Sequence, residues 1–108
     1  KINEYFENAV STPFMEKASR IRPEKHKLIP AVTHVDGTGR LQTVSQDQNC
    51  LYWNLIDEFR KITGIPIVLN TSFNLRGEPI VCTPKDALRT FFTSGLDALI
   101  LGDCLIKK

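Results

Sequence analysis

Asn49-Cys50-Leu51-Tyr52-Trp53-Asn54-Leu55-Ile56-Asp57-Glu58-Phe59-Arg60-Lys61-Ile62-Thr63-Gly64-Ile65-Pro66-Ile67-Val68-Leu69 is the stretch whose reading decides the fold. Leu51, Tyr52, Leu55, Ile56, Phe59 and Ile62 recur at helical spacing, with Asp57, Glu58, Arg60 and Lys61 on the other side, so residues 49–63 read as an amphipathic helix. Asp47 or Asn49 is placed to cap it, Gly64 to stop it, and Pro66 stands just beyond the stop. Trp53 lies at the border of the stripe, where a packing role is expected. Residues 65–69 are short, apolar and β-branched, and read as a strand. They deliver the polar run Asn70-Thr71-Ser72-Phe73-Asn74-Leu75-Arg76-Gly77-Glu78 at their C-terminal end, the end at which α/β sheets bind ligands.

Toward the C-terminus, Thr83-Pro84-Lys85-Asp86 opens a second helix, with Thr as cap, Pro at the first position and an acid at the positive end. Ala87, Leu88, Phe91 and Phe92 form its inner face, and Gly95 ends it. Residues 96–101 and 104–106 then read as two strands around Gly102-Asp103. Toward the N-terminus, 28–35 and 41–44 read as strands of a hairpin closed by Asp36-Gly37-Thr38-Gly39. Residues 1–27 are broken by Pro13 and rich in charge, and read as a peripheral segment. The expected architecture is α/β (α+β), a mixed twisted sheet with helices packed on it, forming a single domain over 1–108 with its core in 28–108.

The composition agrees with one ordinary folded domain: 108 residues, 42% apolar, 14 basic against 12 acidic residues, net charge +2. So slight a charge gives no support for a nucleic-acid partner. The run 98–101 is far shorter than the roughly 18 residues a membrane span requires, so no membrane partner is expected either. Cys50, Cys82 and Cys104 form no Cys-x-x-Cys pair, which predicts buried thiols in a reducing compartment, with a cytoplasmic location and no metal site. A start at Lys1-Ile2-Asn3-Glu4 reads as the beginning of an excised piece rather than as a signal peptide.

Two segments carry candidate chemistry. In Thr33-His34-Val35-Asp36-Gly37-Thr38-Gly39-Arg40, Arg40 offers a planar fork of donors, Thr38 a hydroxyl, and the glycines let amides face an anion. The alternative is a plain hairpin turn, since Asp-Gly is a common turn pair and Arg40 can be a solvated flank. His34 is a candidate general acid or base, or a structural strand histidine. His26, between Lys25 and Lys27, reads as exposed. In the second segment, Asn70, Thr71, Ser72 and Asn74, followed by Arg76, Gly77 and Glu78, can hold a polar ligand or form a self-capped loop. Cys50 has no neighbouring base and is not a favoured nucleophile. Neither standard nucleotide-binding glycine motif is present.

Residues 29–38 with Arg40, Gln42, Thr43 and Val44, then Asn70-Thr71-Ser72-Phe73-Asn74 and Arg76-Gly77-Glu78-Pro79-Ile80-Val81, resemble the C-terminal domain of the NodU/CmcH carbamoyltransferases. Thr83-Pro84, Asp86-Ala87 and Asp97-Ala98-Leu99 with Gly102 extend the likeness over at least 28–108. The resemblance implies part of a YrdC-like domain of an O-carbamoyltransferase. That domain uses carbamoyl phosphate and ATP, with magnesium, to make carbamoyl adenylate. An N-terminal domain of actin-like ATPase fold, the only expected site of iron, then passes the carbamoyl group to a hydroxyl of a sugar, antibiotic or nodulation factor. By similarity, Arg40 and Arg76 hold phosphate oxygens, while Asn70, Ser72 and Asn74 hold carbamoyl and nucleotide groups; the expected sheet, bringing the hairpin crest beside the end of strand 65–69, would let the two arginines face one pocket. Gly39 and Cys50 stand where the family pattern leads one to expect Ala and Pro.

The N-terminal domain and the basic segment that family members carry just upstream lie outside these 108 residues. Alone, the chain is therefore expected to fold without catalysing, with surface left open for a homodimer. Two other readings compete. One is a YrdC-type domain making threonylcarbamoyl adenylate for tRNA, against which the near-neutral charge speaks; the other is a non-catalytic ligand-binding module.

Overall fold

The computed structural model of the chain describes residues 1–108. In chain order the elements are α1 (Ile2–Tyr5), β1 (Ala18–Arg20), β2 (Thr38–Arg40), α2 (Cys50–Thr63), α3 (Pro84–Thr93), β3 (Ala98–Leu101) and β4 (Cys104–Lys107), with short 3-10 turns at Pro23–Lys25 and Pro30–Val32. Helices and small antiparallel sheets make this an α+β fold. The chain divides into two compact units, Lys1–Leu69 and Asn70–Lys108.

In the first unit, β1 runs antiparallel to β2, with Ala18 opposite Arg40, Ser19 opposite Gly39 and Arg20 opposite Thr38. The expected hairpin of 28–35 with 41–44 does not form. Pro30 has no N–H to give a ladder and instead starts the 3-10 turn Pro30–Val32. Residues 41–43 meet Thr12: its hydroxyl donates to Leu41 O (3.0 Å), and Thr43 N donates to Thr12 O (3.1 Å). The N-terminal segment is central rather than peripheral. Tyr5, Phe6 and Ile21 join Ile29 in the core, with Ala9, Val32, Leu41, Ile65 and Ile67 packed around them. These residues come from stretches far apart in the sequence, and only tertiary packing gathers them. Gly39 is buried in this cluster, and a methyl there would lie 2.9 Å from Val32 O and 3.0 Å from Ile21 Cδ1, so its lack of a side chain lets the turn and β1 close on each other.

The helix expected at 49–63 is present as α2. Asn49 caps it by accepting from Tyr52 N at 3.0 Å, and Gly64 closes it by donating to Arg60 O at 2.7 Å. None of its residues is buried, and Leu51, Leu55, Phe59 and Ile62, expected to face inward, are exposed. Amphipathicity defines a face but not what covers it. Residues 65–69 are extended and largely half-buried, yet belong to neither sheet.

In the second unit, α3 begins as the sequence requires. Thr83 Oγ1 accepts from Asp86 N (3.2 Å), and the Asp86 carboxylate accepts from Thr83 N (3.1 Å), a reciprocal cap with Pro84 in the first turn. Ala87, Thr90 and Phe91 are buried on its inner face, and α3 packs against β3. β3 and β4 form a hairpin, Ala98 opposite Lys107 and Leu101 opposite Cys104. All three cysteines are free and exposed, against the expectation of burial: Cys50 opens α2, Cys104 opens β4, and Cys82 lies in the coil just before the α3 cap.

The hydrogen bond from the Thr83 hydroxyl chiefly, with help from Thr83 N, holds the Asp86 carboxyl below its ordinary value of 3.8. A depressed folded-state value means that the contribution is present above the unfolded value and is lost as pH falls through the folded one, so the first turn of α3 frays below about pH 4. Thr83→Ala is expected to cost about 1 kcal/mol. Melting curves at pH 7 and pH 3 check both statements, and equal midpoints for parent and variant at pH 7 would contradict the role of the cap.

Candidate functional site

The turn at residues 34–38 is closed by its backbone, with His34 N donating to Thr38 O (2.7 Å) and Gly37 N to His34 O (2.9 Å). Asp36 Oδ1 accepts from both Thr38 N (3.0 Å) and the Thr38 hydroxyl (2.8 Å). His34 Nδ1 lies 3.0 Å from the same hydroxyl oxygen. That hydroxyl has one proton and gives it to Asp36, so it must accept from His34, which makes Nδ1 the protonated nitrogen. In neutral His34 the basic nitrogen is therefore Nε2. The Thr38 hydroxyl, followed by Thr38 N, holds the Asp36 carboxyl below its ordinary value, with the charge of His34 adding to the effect. The ordered chain runs from carboxylate to hydroxyl to imidazole. Thr38 is half-buried, while His34, Asp36 and Arg40 are exposed.

His26 supports this turn from behind, a role the sequence does not announce. It is half-buried rather than exposed, and its Nε2 donates to Ile21 O (3.0 Å), while Ile21 N donates to Gly37 O (2.9 Å). Gly37 has φ +79°, and a Cβ there would stand 2.9 Å from His26 Cε1. Only glycine satisfies both the left-handed backbone and the imidazole beneath it. The contact arises only once the β1–β2 ladder sets Ile21 against Gly37, so no local signal in the sequence marks it.

The second cluster occupies the loop at the start of the other unit. Asn74 Nδ2 donates to Leu75 O (3.2 Å) and Glu78 O (3.0 Å), and Ser72 Oγ donates to Asn74 Oδ1 (2.7 Å). Glu78 N donates to Leu75 O (3.0 Å), and Val81 N to Phe73 O (2.9 Å). In this geometry Asn74 and Ser72 shape the loop, which is the self-capped alternative read from the sequence. Their work presents Arg76 and Gly77 at the tip of a tight turn, with Arg76, Glu78, Asn70 and Thr71 exposed. The structure thus joins His34 and Thr38 through one hydrogen-bonded turn, with Arg40 exposed two residues further along β2, and holds Ser72 and Asn74 in one loop hydrogen-bond network whose span also carries Asn70, Thr71, Arg76, Gly77 and Glu78.

The family described as Carbamoyltransferase C-terminus matches residues 1–108. The chain is 54% identical over 109 residues to the nodulation protein NolNO of Sinorhizobium fredii, covering 98% of this chain and 16% of that protein. It is 49% identical over 109 residues to the nodulation protein NolO of Bradyrhizobium diazoefficiens, covering 98% and 20%. It is 29% identical over 107 residues to the 3'-hydroxymethylcephem-O-carbamoyltransferase of Amycolatopsis lactamdurans, covering 99% and 20%. The chain therefore spans about a fifth of the length of the curated relatives it matches. With a match running from the first residue to the last and half the positions shared with two nodulation proteins, the chain belongs to the C-terminal domain of the NodU/CmcH carbamoyltransferase family.

Proposed function

We propose that the chain supplies the anion-binding and proton-ordering part of an O-carbamoyltransferase that uses carbamoyl phosphate and ATP. The observation that carries this reading is the ordered chain Asp36, Thr38, His34, with Arg40 two residues beyond it on β2. Water releases phosphate from carbamoyl phosphate to leave carbamate, the carbamate oxygen attacks the α-phosphorus of ATP and displaces pyrophosphate, and passing the carbamoyl group from the adenylate to a hydroxyl releases AMP. These steps need charge neutralisation and positioning rather than a covalent nucleophile on the protein. Arg40 and Arg76 each offer a planar fork that pairs with two phosphate oxygens. Asn70 and Thr71 contribute polar contacts to the carbamoyl and nucleotide groups, while Ser72, Asn74, Gly77 and Glu78 keep the Arg76 turn in shape. His34 Nε2 is the nitrogen suited to take a proton at the reacting oxygen.

Magnesium would arrive on the nucleotide phosphates, whose oxygens are its usual ligands. The hydroxyl acceptor, in keeping with a relative named for O-carbamoylation of a hydroxymethylcephem, would be met by an N-terminal domain of the complete polypeptide. Three free thiols fit a reducing, cytoplasmic setting, and no helix is long and apolar enough to cross a membrane.

The test is carbamoyl-phosphate-dependent release of pyrophosphate from ATP by the complete polypeptide. Thr38→Val breaks the ordered chain without changing size and is expected to slow this reaction about tenfold, the worth of one hydrogen bond in a polar site. Thr38→Ser should restore it. Pyrophosphate release that ignores carbamoyl phosphate would overturn the proposal, and an unaffected Thr38→Val would remove the proton-ordering role.

A further inference from the structure

We propose that the open apolar face of α2 is an internal docking surface, covered by the portion of the polypeptide that lies outside these 108 residues. Leu51, Leu55, Phe59 and Ile62 follow one another at intervals of four, four and three residues, one continuous ridge along the helix, and are 83%, 56%, 39% and 84% exposed. Phe59 also lines a neighbouring groove of about 320 Å³ whose wall includes Leu28, Val32, Ile65, Ile67 and Leu69. Ridge and groove together form an extended apolar surface of the kind that marks an interface rather than solvent-facing protein.

The charges of the helix do not compete for the occupant. Asp57 pairs with Arg60 Nη2 (2.8 Å) and Lys61 (3.2 Å), and Glu58 pairs with Lys61 (2.6 Å), so two acids and two bases neutralise one another along the helix. No uncompensated charge there calls for an ionic partner, and the occupant must be apolar. Its source follows from size. The matched relatives are about five times the length of this segment, so most of such a polypeptide is available to cover the face. A tethered segment binds at a high effective concentration and needs only a small patch. A second copy would need roughly 20–30 residues a side for a stable interface, more than this ridge and groove provide.

The test places the photo-crosslinker p-benzoylphenylalanine at Leu55, at Ile62 and, as a control off the ridge, at the exposed position Lys61, each in the complete polypeptide. After irradiation, crosslinked peptides are identified by mass spectrometry. Crosslinks from 55 and 62 to residues outside this segment, within molecules of monomer mass, are the expected result. Crosslinks between two copies would assign the face to a dimer. Crosslinks to residues 70–108 would make it a contact within this segment, and no crosslink would leave it solvated. Equal capture of the same peptides from Lys61 would deny the ridge any special role. Each of these outcomes overturns the proposal. Because the readout requires no turnover, failure here is distinct from failure of the carbamoyl-transfer reading.

Discussion

Arg76→Ala in the complete polypeptide is expected to slow carbamoyl-phosphate-dependent pyrophosphate release by about thirtyfold or more. The loss of a charge-assisted donor to a transition-state anion costs on the order of 2 kcal/mol. The prediction rests on how the loop is built. Asn74 and Ser72 use their polar atoms to hold the turn and leave Arg76 exposed at its tip; under the proposed function it is the cation that meets phosphate oxygens. Arg76→Lys should recover only part of the rate, since an ammonium supplies charge without the planar fork. Arg40→Ala should behave in the same way if both arginines hold phosphate. Saturating carbamoyl phosphate would mask a binding defect, so the comparison belongs at low concentrations, where kcat/KM is read. An Arg76→Ala enzyme with parental kcat/KM would end the assignment. Asn74→Ala serves as the companion measurement: loosening the turn should also slow the reaction, but with loss of loop order visible by hydrogen exchange.

Local signals were legible wherever the residues that decide an element are neighbours in the chain. Asn49 and Gly64 bound α2, Thr83 and Asp86 cap α3, and Gly102-Asp103 turns β3 into β4, each within a few residues of the element concerned. What escaped reading depends on partners far apart in sequence. β2 pairs with the short polar segment 18–20 rather than with the more apolar run beside it, because Pro30 spoils that run as a strand. Tyr5-Phe6 is a short pair between acids and Ile21 a single apolar residue between arginines, and nothing local signals that they converge on Ile29. The Asp36-Gly37 turn was visible as a motif, but its support by His26 was not, since that contact depends on the ladder placing Ile21 against Gly37. Even the clearest periodicity, that of α2, revealed a face without revealing what lies against it.

Gly37→Val is the substitution expected to damage the fold and the site together. At φ +79° a β-branched side chain is strongly disfavoured, a cost of roughly 1–2 kcal/mol. Its Cβ would also press on His26 Cε1 at 2.9 Å, adding about 1–3 kcal/mol of overpacking unless the imidazole moves. The imidazole cannot move without breaking its hydrogen bond to Ile21 O, and Ile21 is also the residue whose N–H holds Gly37 O. Strain at one position therefore reaches the β1–β2 ladder and the hydrogen bonds ordering His34, Thr38 and Asp36. Gly37→Val should lower the denaturant midpoint markedly and slow turnover beyond the tenfold expected of Thr38→Val. The double variant Gly37→Val with His26→Ala should regain part of the lost stability, because the overpacking disappears while the backbone strain remains. If the single variant keeps the parental midpoint, or if removing His26 restores nothing, the contact between this imidazole and the turn has no energetic weight.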